Sequence, residues 1–111
     1  MKVMTSEEFS KSVESQIKRI EESLVKKNKE YANTKPPLHN FHESAKASRT
    51  TPKIAAFMFM IKHFTSITDM IQSGDDYPME VWKEKLGDMK NYLILIECLV
   101  EEEKANKESK K

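Results

Sequence analysis

The sequence predicts an all-α fold: three main helices plus a short loop helix, forming a helical bundle completed by oligomerisation. Composition is the first reason. Of 111 residues, 33% are charged and 38% hydrophobic, with only two glycines and four prolines. That balance, rich in Lys, Glu, Met, Leu and Ile, favours long helices over a sheet. Periodicity is the second reason, because apolar residues recur at spacings of three and four over long stretches. The third is punctuation: start signals at Thr5 and Thr51-Pro52 and a stop signal at Gly74.

The first helix opens at TSEE, where Thr5 followed by Glu8 has the capping-box spacing. Phe9, Val13, Ile17, Ile20, Leu24 and Tyr31 then form one apolar stripe, and the helix is expected to end near Asn33. Residues 34–50, TKPPLHNFHESAKASRT, interrupt the pattern, since Pro36 and Pro37 exclude a continuing helix. Leu38 and Phe41 can pin this connection to the core, and a short helix is expected around residues 40–47. A connection this long in so small a domain is often functional.

The second main helix starts at Thr51 as N-cap with Pro52 in its first position, and Gly74 stops it. Ile54, Phe57, Ile61, Phe64 and Ile71 lie on one side, and Met60, Ile67 and Met70 on another. A helix apolar almost all round is expected to be central and buried. Its exception is a polar line through Lys62, Thr65 and Asp69. The third helix is expected from about residue 78 to 103. Trp82, Leu86, Met89, Leu93, Ile96 and Val100 form its packing seam, and Glu84, Asp88 and Asn91 lie on a separate line. One domain, residues 1–104, accounts for the chain, with a charged, disordered tail at 105–111.

A formal net charge of +1 gives no bulk electrostatic drive toward nucleic acid. The apolar runs are shorter than the roughly 20 residues of a membrane span. MKVMTSEEFS has no apolar signal-peptide core, and Cys98 has no intrachain partner. The expectation is therefore a cytoplasmic protein without disulfides, in which Cys98 is a small core residue. Helix two being greasy almost all round, a homo-oligomer, dimer or tetramer, is expected to cover what three helices cannot.

Two helices thus carry polar lines of one kind. If they face each other, Asp69, Glu84 and Asp88 converge near Lys62. Carboxylates a turn apart on neighbouring helices are how bundles hold hard divalent cations such as Mg²⁺, and a lysine at the rim suits a phosphate. The alternative is an internal salt-bridge network, or Glu84 and Asp88 facing water. His39, His42 and His63 match no zinc pattern. The chain has no glycine-rich phosphate loop and no Ser–His–Asp or Cys–His signature.

The order KKNKEYANTKPPLHNF, then a TP-initiated helix with IKHFTSITDMI, then W-x-EKLGDMKNYLILIECL resembles a family of small phage and prophage proteins. These are nucleotide-modification-associated domains related to the all-α NTP pyrophosphatases, the MazG and dimeric dUTPase group. The resemblance runs from about residue 24 to 103. It implies a nucleotide pocket between helices two and three, roofed by residues 31–41, in a homo-oligomer. It further implies Mg²⁺ held by Asp69, Glu84 and Asp88, with Lys62 and Asp69 as catalytic residues if the protein hydrolyses nucleoside triphosphates. Tyr31, Asn40, Phe41, Lys62, His63, Asn91 and Tyr92 would contact phosphate, base or sugar.

The chain departs from that pattern where it matters chemically. The pyrophosphatases place three glutamates, spaced EExxE, on the first metal-binding helix, whereas IAAFMFMIKHFTSITDMI has only Asp69. In the later helix Lys85 stands where an ExxD pattern would put glutamate. A two-metal arrangement is short of ligands. Three functions remain as expectations: a Mg²⁺-dependent nucleoside triphosphate pyrophosphatase, a non-catalytic phage-type protein that sequesters nucleotides or nucleotide-derived immune signals, or a structural helical partner.

Overall fold

A computed structural model describes residues 1–31 and 35–109, apart from the side chains of Glu30 and Tyr31. The expected ligand contact Tyr31 and the expected helix end near Asn33 therefore lie outside the described residues. All regular secondary structure among the described residues is helical: α1 (Ser6–Glu21), a π-turn (Glu22–Lys26), α2 (Lys27–Tyr31), α3 (His39–Ser48), α4 (Pro52–Ser73) and α5 (Met79–Ser109).

The local signals act as their chemistry requires. Thr5 and Glu8 make the reciprocal capping box, each backbone N–H donating to the other side chain at 3.1 Å. The Glu8 carboxyl is held below its usual range, first by the Thr5 backbone N–H and then by Lys2. The Thr51 hydroxyl accepts from Ile54 N–H at 3.3 Å, and Gly74 ends α4 at φ 71°, a left-handed cap that glycine adopts without steric cost. The short helix is slightly longer than expected. It closes on Arg49 at φ 57°, whose N–H donates to the last-turn carbonyls of Ala45 and Lys46.

Two boundaries differ from expectation. The first helix is not regular throughout: it widens into the π-turn before α2 continues it. The third main helix runs beyond residue 103 to Ser109. Its last turns are strong helix formers, and Lys107 bridges Glu103 one turn back at 3.1 Å.

α5 is the spine, with α4 packed along it, α3 on α4, and α1 on another side of α5. Lys53 meets Glu103 and His63 meets Asp88, so numbering falls along one helix as it rises along the other. The pair is antiparallel, as a five-residue connection requires. The buried residues are Ala45, Ala55, Ala56, Ile67, Met70 and Leu99.

That core is smaller than the sequence implies, and α4 is not enclosed. Its inward face holds Ala55, Ala56, Ile67 and Met70, while Ile54, Phe57, Phe64 and Ile71 are exposed. On α5 the expected seam also shifts: Leu93 is 55% exposed and Leu99 is the residue that buries fully. The chain is elongated, 58 × 29 × 28 Å, with a radius of gyration of 17.1 Å, against about 13 Å for a compact domain of this length. Contrary to expectation, α4 is long and apolar enough by length and composition to cross a membrane.

Candidate functional site

α5 carries Glu84, Asp88 and Asn91 along one face, and the structure gives that face two neighbours. Toward α3 and α4, Asp88, Asn91 and Tyr92 join Phe41, His63, Leu24 and Leu95 around a cleft of about 410 Å³. Toward α1, Glu84, Asp88 and Asn91 join Arg19, Ser23, Lys83 and Lys90 around a second cleft of about 260 Å³. Asp88 and Asn91 line both.

The first cleft is aromatic. The His63 and Tyr92 rings lie tilted with centroids 5.1 Å apart, and Phe41 sets its edge 6.4 Å from Tyr92 and 6.3 Å from Phe59. His63 Nδ1 is 3.7 Å from Asp88 Oδ2, close enough for charge attraction when the imidazole is protonated but too long for a hydrogen bond. Burial, and after it the Asp88 carboxylate, pushes the Tyr92 phenol above its ordinary pKa. The phenol is therefore a neutral donor throughout the physiological range. The second cleft is cationic along one wall. Lys90 donates to the Gln16 side chain and ties α1 to α5, while Arg19 donates to Ser15 at 2.8 Å.

At the junction, Asn91 Oδ1 is buried and has no hydrogen-bond partner among the described residues. A buried acceptor without a donor costs about 1–3 kcal/mol. Such an atom calls for an explanation, and its place between two clefts supplies one.

Five of the expected contacts thus come together: Phe41, His63, Asp88, Asn91 and Tyr92. Glu84 joins them through the second cleft. Asn40 lies on a neighbouring apolar groove of about 980 Å³ that shares Phe41 and Tyr92 and includes Cys98. Lys62 and Asp69 do not join. Both are exposed and line none of these clefts, and among the described residues no group of three His, Cys, Asp or Glu side chains is placed to hold a metal. The reason is rotational. A helix turns about 100° per residue, so aiming His63 at α5 and burying Met70 swings Lys62 and Asp69 toward solvent. The two polar lines do not face each other within one chain; Glu84 faces α1, while Asp88 and Asn91 lie between α1 and His63 of α4.

The residues not anticipated are Gln16 and Arg19 of α1 and Ser23 of the π-turn, together with Lys83, Gly87 and Lys90. Gly87 carries a signal, because a glycine inside a helix costs about 1 kcal/mol relative to alanine. It lines the cationic cleft, and a Cβ there would meet nothing within 4 Å. A second polar cluster lies toward the far end of α5, where His42 Nε2 meets Glu102 at 2.5 Å and Lys53 meets Glu103 at 3.0 Å. Compared with family models, curated proteins and solved structures, the chain matches none.

Proposed function

We propose that the chain binds a nucleotide or nucleotide-like small molecule across the two clefts that meet at Asp88 and Asn91. The observation that carries this reading is the buried, unpartnered Asn91 Oδ1 between an aromatic wall and a cationic one. A nucleobase offers a flat face for Tyr92, His63 and Phe41, and an N–H donor for the Asn91 oxygen once that side chain turns toward the ligand. Stacking of this kind contributes about 1–3 kcal/mol per base. Arg19, Lys83 and Lys90 supply the charge that phosphate oxygens require.

Glu84 and Asp88, one helical turn apart on the same cleft, suit a single Mg²⁺ shared with the ligand's phosphates. That ion commonly takes only one or two protein carboxylates beside phosphate oxygens. A two-metal hydrolytic arrangement needs more carboxylates than this pair, and Asp69 is turned away. The donor set therefore favours a non-catalytic binder, a phage-type protein that sequesters nucleotides or nucleotide-derived signals in the cytoplasm, over a nucleoside triphosphate pyrophosphatase. A purely structural role leaves Asn91 Oδ1 unexplained.

Thermal melting with a panel of nucleoside mono-, di- and triphosphates, with and without Mg²⁺, tests the reading. A ligand at 100 times its dissociation constant stabilises by about 2.7 kcal/mol. Stabilisation without pyrophosphate release is the expected result. Release would select the enzyme, and no shift with any nucleotide would sink both forms of the proposal.

A further inference from the structure

The outward face of α4 has no use in the ligand site, and its pattern is regular. Ile54, Phe57, Ile61, Phe64, Thr68 and Ile71 follow spacings of three, four, three, four and three, the a/d repeat of a helix that packs against another helix. Within the chain most of this seam is uncovered: Ile54 is 46% exposed, Phe57 48%, Phe64 57% and Ile71 64%, while Ile61 and Thr68 are half-buried. The polar member does not spoil it. The Thr68 hydroxyl donates to Phe64 O at 2.9 Å within the helix, which satisfies the group locally and leaves its methyl for packing.

We propose that this seam pairs with the same seam of a second copy, α4 against α4, antiparallel about a two-fold axis. Three observations select that occupant. The seam is its own complement when reversed: Ile54 meets Ile71 of the partner subunit, Phe57 meets Thr68 of the partner subunit, and Ile61 meets Phe64 of the partner subunit. The isoleucines and Phe64 find apolar partners and Phe57 packs on the Thr68 methyl, and an isologous contact of this kind closes at two chains. Of the flanking side chains, Met58, Met60, Thr65 and Gln72 are uncharged and Lys53 is already paired with Glu103 of its own chain, so no flanking charge opposes an identical face. Finally, the chain exposes 8898 Å², about 2,600 Å² more than a compact monomer of 12.9 kDa. That excess is ample for the roughly 800 Å² per partner of a stable interface. The pairing stands independently of the nucleotide reading.

The full chain in light scattering at tens of micromolar is expected at twice 12.9 kDa. Phe64→Glu should halve that mass while keeping the helical circular dichroism. Ile71→Lys, at the exposed end of the seam, is the second variant should the first fail to fold. Register is read in a Cys98→Ala background by mixing Phe57→Cys chains with Thr68→Cys chains under mild oxidation. The mixture should cross-link, whereas Phe57→Cys alone should not, because its own copies lie about 16 Å apart along the pair, beyond disulfide reach.

Four results overturn the proposal. One is a monomeric wild type; another is a dimer indifferent to both charged variants. A third is cross-linking of Phe57→Cys to itself, which denotes parallel pairing. The fourth is a monomer that sediments with phosphatidylcholine–phosphatidylglycerol vesicles through the same face, which assigns the seam to lipid.

Discussion

Two polar clusters sit on α5, about 18 Å apart along its axis, and they are built on opposite principles. In the later one every charge is answered: Glu102 takes His42, and Glu103 takes both Lys53 and Lys107. In the earlier one the polar groups are left waiting. Asn91 Oδ1 is buried without a donor among the described residues, and His63 stands 3.7 Å from Asp88, too far for a hydrogen bond. The answered cluster fastens α3 and α4 to the end of α5, a structural task. The unanswered one has the character of a site held open for another molecule.

The sharpest way to break this contrast is Asn91→Leu. A side chain of similar volume without the orphaned oxygen should stabilise the free chain by about 1–3 kcal/mol and abolish any nucleotide-induced melting shift. Chemical denaturation and ligand melts read the two effects separately. A destabilised variant would mean that Asn91 belongs to the structural class after all. Gly87→Ala comes next: without a clash it should gain about 1 kcal/mol from helix propensity alone, while its methyl narrows the cationic cleft and weakens ligand affinity. Unchanged affinity, by titration calorimetry, would remove Gly87 from the site.

The smallest effect is expected at the answered cluster. Hydrogen bonds from Lys53, then from Lys107, hold the Glu103 carboxyl below its usual range. A group whose folded pKa is depressed stabilises above its unfolded pKa and loses that contribution as pH falls through the folded value. Glu103→Gln should therefore flatten the acid limb of a stability–pH curve and leave ligand binding untouched. A change in nucleotide affinity there would merge the two clusters into one functional unit.

Sequence is informative here where chemistry is local and stops where it is rotational. Thr5, Thr51 and Gly74 announce their helix ends because each cap is complete within a few residues. The group Phe41, His63, Asp88, Asn91 and Tyr92 is legible as a set of side chains, but its second wall is not. Arg19 and Ser23 sit on a helix whose apolar stripe says only that one face packs, not which neighbour it meets. Lys62 and Asp69 miss the site for a related reason. The helical period does give them a shared face, yet a single residue of offset, with His63 as the inward one, turns that face away. The end of α5 runs past residue 103 because Glu103–Lys107 pairing sustains a segment whose charge suggests fraying.

The π-turn at Glu22–Lys26 has a consequence in helical phase. Such a turn accommodates one extra residue, and one residue is worth about 100° of rotation. The helix beyond the turn is therefore out of step with the stripe of Phe9, Val13 and Ile17 before it. Lys27 and Asn28 come to line the apolar groove beside Leu24 and Val25, an address that an unbroken α-helix would have given to other side chains. The turn works as a phase shifter: it lets one rod carry an apolar stripe along α1, exposed in the single chain at Phe9, Val13 and Ile17, and a differently oriented, partly polar face next to the aromatic cleft. Deleting one residue there would bring the two halves back into step and repopulate the groove wall without touching a single residue of α5.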